Sequence, residues 1–161
     1  MKNKKIVLVD MDGVLCDYDM KAALMPQWLK DKHYDCHGIP GFYRDLEPMP
    51  GALDAFDWLN EHFEVYICSS PSWRNPSSWI DKRLWVDNVL GEKARKKLIL
   101  THNKGLVRGD YLIDDNIWNG VEDFEGEHIH FGTEMNWKSV IEYLSNKENI
   151  SISDLSSRKI K

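Results

Sequence analysis

The chain has 161 residues, of which 42% are hydrophobic and 29% are charged, and its formal net charge is -5 at pH 7. These values are typical of one globular domain with a sizeable core and exclude a disordered or fibrous chain. The acidic balance argues against a nucleic acid polymer or a membrane surface as partner, because both attract basic faces. No apolar run has the length of a transmembrane helix and no leader segment precedes the first predicted strand, so we expect a cytoplasmic protein.

The first predicted strand is the apolar run Ile6–Val9, which ends in Asp10-Met11-Asp12-Gly13. A run without polar residues is typical of a strand buried on both faces of a parallel sheet. Residues two apart on an extended chain point to the same side, so Asp10 and Asp12 are expected to project into one crevice. Carboxylates this close repel each other, and a bound cation or a proton on one of them relieves the repulsion.

The rest of the chain alternates helices with strands. Hydrophobic spacing, caps and breakers predict helices over 17–32 (broken near Pro26), 51–61, 75–90 and 136–144, and strands over 64–68, 97–101, 110–113 and 128–131. This alternation predicts an α/β fold, a Rossmann-like doubly wound parallel sheet with a small helical cap inserted after the first strand. We assign residues 1–16 and 42–145 to the core, 17–41 to the cap and 146–161 to a polar C-terminal tail.

Polar side chains follow the other predicted strands as well. Ser69 and Ser70 follow the second strand, Lys104 lies beyond the third, and Asp114 and Asp115 end the fourth. Each motif alone is common in turns, helix caps or exposed surfaces. The carboxyl ends of parallel strands meet at one edge, however, so these residues should converge on the aspartates of the first strand. Acids, hydroxyls and a lysine in one place suit phosphoryl transfer, which depends on positioning and on neutralising charged oxygens.

In this order the motifs resemble those of the haloacid dehalogenase (HAD) superfamily of phosphatases, and longer segments resemble its 5'(3')-deoxyribonucleotidase family. The similar segments include DMDGVLCDY at 10–18, PGFYRDLEPMPGA at 40–52, ICSSP at 67–71, ILTHNK at 99–104 and LIDD at 112–115. The resemblance extends over about residues 5–19 and 38–144, and therefore over most of the chain.

The resemblance implies a phosphatase mechanism through an aspartyl-phosphate intermediate. Asp10 would be the nucleophile that attacks phosphorus, and Asp12 would be the general acid and then the general base. The oxygens of the phosphate would be bound by Ser69, Ser70 and Lys104.

The same resemblance implies a Mg²⁺ cofactor. The ion would be held by Asp10, the backbone carbonyl of Asp12 and Asp115, with Asp114 either a ligand or a neighbour of the ligands. An all-oxygen site that also takes water and a phosphate oxygen suits Mg²⁺.

The substrate implied is a nucleoside monophosphate, a small molecule, and relatives in this family form homodimers. Tyr18, Phe42 and Tyr43 match aromatic positions near the base pocket of the family, and His102 stands where mammalian relatives carry an arginine. The cap is about half as long as in those relatives, so the phosphatase chemistry transfers better than the base preference. The alternatives are the same chemistry on another small phosphate ester, phosphoryl transfer to an acceptor other than water, and a non-catalytic nucleotide-binding module.

Overall fold

A computed structural model describes residues 4–151 of the chain. Its centre is a parallel five-stranded sheet formed by β1 (Ile6–Val9), β2 (Glu64–Ser69), β3 (Leu98–Leu100), β4 (Tyr111–Asp114) and β5 (Glu127–His130). The strand order is β3-β2-β1-β4-β5. The chain therefore builds one side of the sheet outward from β1 and then crosses to the other side of β1. The crevice at such a reversal of strand order is where open α/β sheets bind ligands.

Within residues 4–151, five α-helices accompany these strands: α1 (Tyr18–Leu24), α2 (Gln27–Lys32), α3 (Ala52–His62), α4 (Ser77–Trp85) and α5 (Trp137–Glu148). The alternation of elements and the parallel sheet confirm the predicted fold class. The predicted break near Pro26 is also confirmed, since this proline lies between α1 and α2. None of the helices within residues 4–151 has the length and apolar character that a membrane-spanning helix needs.

Two helix ends differ from the prediction. After α4 the chain continues as a π-helical turn, Val86–Leu90, and then as a 3₁₀ turn, Gly91–Ala94; Gly91 has a φ of 63°. Helix α5 was expected to end at Leu144 but runs on to Glu148, so residues 146–148 belong to this helix and not to a tail. The part of the predicted tail at 152–161 lies outside the described residues.

Burial on both faces explains why β1 lacks polar positions. Val7 and Val9 belong to the main hydrophobic core, which α3 and α5 help to form. Leu8 points to the other face and packs with Leu112 and Phe124 in a smaller core. Both faces of β1 are therefore closed to water, and the polar residues that follow the strand, Asp10 and Asp12, lie at the open edge of the sheet.

The insertion between β1 and α3 leaves the core and returns to it at one place, which we call the neck. At the neck, the backbone N–H of Asp17 donates to the carbonyl of Glu47 (2.8 Å), and the N–H of Met49 donates to the carbonyl of Leu15 (2.9 Å). Cys16 pairs with Pro48 in an antiparallel bridge between these two bonds. The neck holds the two ends of the insertion side by side.

The insertion also packs on α4. The side-chain amide of Asn75 donates to the carbonyl of Ile39 (2.9 Å), and the hydroxyl of Ser77 accepts from the N–H of Gly41 (3.1 Å). Asn75 is buried and lies two residues before Ser77, the first residue of α4. The insertion is thereby tied to the helix that follows β2.

Candidate active site

A cavity of about 520 Å³ opens at the carboxyl edge of the sheet, beside β1. It brings together residues from five separate stretches of the chain, as the strand-end motifs predict. The predicted site residues that line it are Asp10, Asp12, Tyr18, Tyr43, Ser69, Ser70, His102, Lys104 and Asp115. Two predicted site residues do not line the cavity: Asp114, which forms an ion pair with Lys104, and Phe42.

The deepest part of the site is a buried cluster of one lysine and two aspartates. Lys104 Nζ lies 2.8 Å from Asp10 Oδ1 and also forms an ion pair with Asp114. All three side chains are buried. Lys104 reaches them because a short 3₁₀ turn, Lys104–Leu106, follows β3, and the Lys104 N–H donates to the carbonyl of Asn119 (2.7 Å). The turn directs a lysine that looks like a surface residue in the sequence into the centre of the site.

Burial controls the charges of this cluster. It raises the pKa of Asp10, and the Lys104 ammonium opposes that rise. It raises the pKa of Asp114 as well, reinforced by the charge of Asp10. Burial alone would lower the pKa of Lys104, but the two carboxylates more than offset this effect and the net shift is upward. Lys104 is therefore a fixed cation, and the two carboxylates together exceed its charge.

A third carboxylate completes a set of oxygens that suits a divalent cation. Oxygens of Asp10, Asp114 and Asp115 lie within 4.8 Å of one another. Burial raises the pKa of Asp115, and the charge of the neighbouring Asp114 reinforces this rise. Three hard oxygen donors with excess negative charge, next to an open cavity, fit Mg²⁺ better than a softer metal. The side chain of Asp12 is not part of this group. Coordination of the ion by the backbone carbonyl of Asp12 stays a prediction.

Lys82 on α4 belongs to the site although the sequence motifs did not predict it. Its side chain is fully buried, and its Nζ lies 2.7 Å from Asp12 Oδ2 and 3.1 Å from the hydroxyl of Ser69. The ammonium also sits over the ring of Tyr43, 4.5 Å from the centroid. A signal for it exists in the sequence, because Lys82 shares a helical face with Trp85. A lysine on a buried helix face requires a partner.

The two predicted serines differ in their surroundings. Ser69 already accepts a hydrogen bond from Lys82. The hydroxyl of Ser70 is buried but has no hydrogen-bond partner among the described residues, although the residue lines the cavity. A buried hydroxyl without a partner is costly, and an oxygen of a bound ligand would satisfy it.

The predicted aromatic residues divide into wall and core. Tyr18 lines the cavity and stacks on His37 (centroids 4.8 Å apart), and the hydroxyl of Tyr43 lies 2.7 Å from His37 Nδ1. Phe42 and Tyr43 are both buried, but Tyr43 lines the cavity and Phe42 does not; Phe42 packs edge-on against Tyr18. The family resemblance predicted Phe42 as a residue of the base pocket, but in the structure its ring packs away from the cavity.

The outer rim of the cavity carries two exposed aromatic side chains that lie beside the strand ends in the sequence. Trp73 and Trp118 line it and are 81% and 69% exposed. The ring of His102 contacts that of Trp73, and its Nε2 lies 2.8 Å from the carbonyl oxygen of Pro71. His102 therefore lies at the rim and is committed to a backbone partner there.

The fold of the chain is similar to that of a solved HAD-hydrolase. The chain superposes on YfnB of Bacillus subtilis, a provisionally assigned HAD-hydrolase whose crystal structure contains magnesium, with a TM-score of 0.61. The match covers 92% of this chain and 100% of the other at 11% identity, which establishes the shared fold.

Sequence comparison identifies the family. A family profile described as "5' nucleotidase, deoxy (Pyrimidine), cytosolic type C protein" matches residues 26–149, and the chain belongs to this family. A protein of Vibrio phage KVP40, provisionally named a 5'(3')-deoxyribonucleotidase, is 47% identical over 150 residues, which cover 90% of this chain and 87% of the phage protein. The human cytosolic-type 5'(3')-deoxyribonucleotidase is 36% identical over 158 residues, covering 78% of each chain.

Proposed function

We propose that this protein is a phosphatase that hydrolyses nucleoside monophosphates, with 5'(3')-deoxyribonucleotides as its preferred class. The observation that carries the proposal is the pairing of a buried carboxylate, Asp10, with a buried cation, Lys104, at 2.8 Å inside a cavity next to β1. A buried nucleophile beside a fixed positive charge is what attack on a phosphate dianion requires. The human and phage relatives carry the name of this activity.

In the first step, Asp10 attacks phosphorus and forms an aspartyl-phosphate. The bond between phosphorus and the sugar oxygen breaks, and Asp12 gives its proton to the departing oxygen. The Lys104 ammonium and the hydroxyls of Ser69 and Ser70 hold the phosphate oxygens and balance their charge. The unpartnered hydroxyl of Ser70 supports this assignment, because a phosphate oxygen would accept its hydrogen bond.

In the second step, water attacks the phosphorus of the intermediate. Asp12, now a carboxylate, takes the proton from that water, and the bond between phosphorus and Asp10 breaks. Inorganic phosphate leaves and both aspartates return to their starting forms. One residue thus serves as acid and then as base, which is possible because the leaving oxygen and the attacking water approach from the same side.

The carboxylates of Asp10, Asp114 and Asp115 would hold Mg²⁺. When bound, the ion would neutralise charge on the phosphate and favour the ionised form of the nucleophile.

A second candidate is the same chemistry on another small phosphate ester. It is favoured by the position of Phe42, which is buried behind the cavity wall and cannot stack on a base. Against it stand the exposed rings of Trp73 and Trp118 at the rim, which offer flat surfaces to a nucleobase. Stacking of one base on an aromatic side chain contributes about 1–3 kcal/mol. We therefore place the nucleotide first.

The location and assembly of the protein stay predictions. A cytoplasmic location is supported by the human relative, which is named a cytosolic type. A homodimer is an expectation from the family resemblance.

The deciding experiment measures phosphate release from 5'- and 3'-monophosphates of deoxyribo- and ribonucleosides and from simple sugar phosphates. It is run with Mg²⁺, with a chelator, and with Asp10→Asn as the blank. Turnover that requires Mg²⁺ and favours deoxynucleotides supports the proposal. Even turnover of sugar phosphates selects the second candidate, and wild-type activity in Asp10→Asn overturns the mechanism.

A further inference from the structure

We propose that Lys82 is a positioning residue that anchors Oδ2 of Asp12 and thereby leaves Oδ1 as the oxygen that exchanges protons with the substrate. This inference rests on the proposed phosphatase function and assigns a role to a residue outside the strand-end motifs. Lys82 Nζ lies 2.7 Å from Asp12 Oδ2, and its side chain is fully buried. Buried charges are found paired, and Asp12 is the carboxylate with which Lys82 pairs here.

The two oxygens of Asp12 have different partners. Oδ2 accepts a charge-assisted hydrogen bond from Lys82, the stronger type of hydrogen bond in proteins. Within residues 4–151, the one donor to Oδ1 is the thiol of Cys16, at 3.7 Å. A thiol is a weak donor and is displaced at little cost. Since an acid and base must have one oxygen free to meet the substrate, the structure assigns that task to Oδ1.

Lys82 is itself held in place. Its Nζ contacts the hydroxyl of Ser69 at 3.1 Å and lies over the ring of Tyr43, 4.5 Å from the centroid. The preceding residue, Asp81, is buried and forms an ion pair with Arg44 (3.0 Å), which ties α4 to the end of the insertion. The anchor of Asp12 therefore belongs to a rigid part of the molecule, as precise placement of a proton donor requires.

The inference predicts a dependence on the leaving group. A sugar alkoxide leaves poorly without a proton, whereas p-nitrophenolate leaves without one. The value of kcat/KM includes only the steps up to the cleavage of the ester bond, so it reports on Asp12 as acid. Since general acid catalysis contributes about 10²–10⁴-fold, we expect Lys82→Met to lose about 100-fold or more in kcat/KM for a deoxynucleoside monophosphate. For p-nitrophenyl phosphate the loss should be much smaller.

The ratio of the two losses separates positioning from other roles. Loss of the hydrogen bond to Ser69, or of positive charge near the phosphate, would lower kcat/KM equally for both substrates because they share the phosphate group. Lys93→Met is the matched control, since Lys93 pairs with Asp57 on the exposed surface and does not line the cavity. It should leave both values of kcat/KM unchanged.

A double-mutant cycle gives a second, independent readout. If Lys82 acts through Asp12, then adding Lys82→Met to Asp12→Asn should lower kcat/KM for the nucleotide no further. Lys82→Gln, which keeps volume and a donor, is measured alongside in case the methionine variant does not fold. Thermal unfolding of each variant reports its folding.

Equal losses on the two substrates, no loss in the variants, or independent effects in the cycle would each overturn the role of Lys82. Wild-type protein that releases phosphate from no nucleotide would instead overturn the proposed function, and the role of Lys82 would fall with it. A leaving-group effect with a non-additive cycle supports the inference.

Discussion

Gly13 and Asp115 occupy adjoining space that leaves no room for another side chain. Gly13 has a φ of 77°, in the left-handed region, and a β-carbon placed on it would overlap Oδ2 of Asp115 and lie 2.9 Å from its Cγ. The glycine that follows the two aspartates of β1 therefore has two functions. It allows the chain to turn at the end of the strand, and it allows the carboxylate of Asp115 to approach the carboxylate of Asp10.

We expect Gly13→Ala to displace Asp115 and so to weaken the proposed Mg²⁺ site. Misplaced ligands typically cost about 10–100-fold in metal affinity or activity, and activation by Mg²⁺ should fall by that amount. The measurement is phosphate release as a function of Mg²⁺ concentration.

Gly41→Ala is the matched control for this variant. Gly41 has a φ of 79°, but a β-carbon on it would meet nothing within 4 Å. It carries the same backbone strain, about 1–2 kcal/mol, without the overlap. Equal Mg²⁺ activation in the two variants would show that Asp115 does not depend on the space left by Gly13.

Lys104→Met should destabilise the protein strongly when Mg²⁺ is absent. Removing this cation leaves Asp10 and Asp114 buried without their partner, and breaking a buried ion pair in this way costs about 3–5 kcal/mol. Added Mg²⁺ should restore more stability to this variant than to the wild type, because the ion offsets the same carboxylates. Denaturant unfolding with chelator and with Mg²⁺ measures both effects. Identical unfolding free energies of variant and wild type in chelator would contradict the assignment.

Phe42 and Trp73 should separate stability from substrate binding. Phe42 is in the core, so Phe42→Ala should lower the free energy of unfolding by about 3–5 kcal/mol. Trp73 is exposed at the rim, so Trp73→Ala should leave stability unchanged but weaken nucleotide binding by about 1–3 kcal/mol. Unfolding curves and the KM for a deoxynucleotide, with p-nitrophenyl phosphate as the control substrate, measure the two effects. A Trp73→Ala variant with unchanged KM for the nucleotide would remove this ring from the binding surface.

Stability should fall in acid partly through Glu148. A hydrogen bond from Lys5 (2.8 Å), together with one from the hydroxyl of Tyr111, lowers the pKa of Glu148 below its ordinary value of 4.5. A carboxyl group whose pKa is lower in the folded state stabilises the protein above its unfolded pKa, and this contribution is lost as the pH falls through the folded pKa. For a surface pair, Glu148→Gln should lower the Tm at neutral pH by about 1–3 °C. The gap in Tm between variant and wild type should close below pH 4.5; a constant gap would contradict the prediction.

The parts of the fold that depend on local sequence were predictable. The apolar run of β1 indicated a central strand, and the polar residues after β2 and β4 marked the edge where the cavity lies. Helix α5 was predicted too short because its last turn depends on distant partners. Glu148 pairs with Lys5 from the start of the chain, and Lys147 pairs with Glu127 of β5. Contacts of this kind do not show in hydrophobic spacing.

The site was predictable where its residues lie at strand ends and unpredictable where they lie elsewhere. Asp10, Asp12 and Lys104 converge because the topology requires it. Lys82 comes from the middle of α4, and only the packing of that helix on the sheet shows that its ammonium reaches Asp12. Phe42 was predicted to line the cavity but does not. Phe42 and Tyr43 are adjacent aromatic residues, and only the packing of the insertion shows which of the two rings reaches the cavity.

The neck fixes the two ends of the insertion, so the insertion can vary in length. Because the backbones of Asp17 and Glu47 are hydrogen-bonded to each other, any segment placed between them starts and ends at the neck. The entropy of closing a loop grows slowly with its length, by about 0.6 kcal/mol for each doubling, so a longer segment would add little cost. A replacement segment can therefore differ in length and in the substrate contacts it offers, provided that it keeps Tyr43 and Arg44, whose contacts hold Lys82 and α4 beside Asp12.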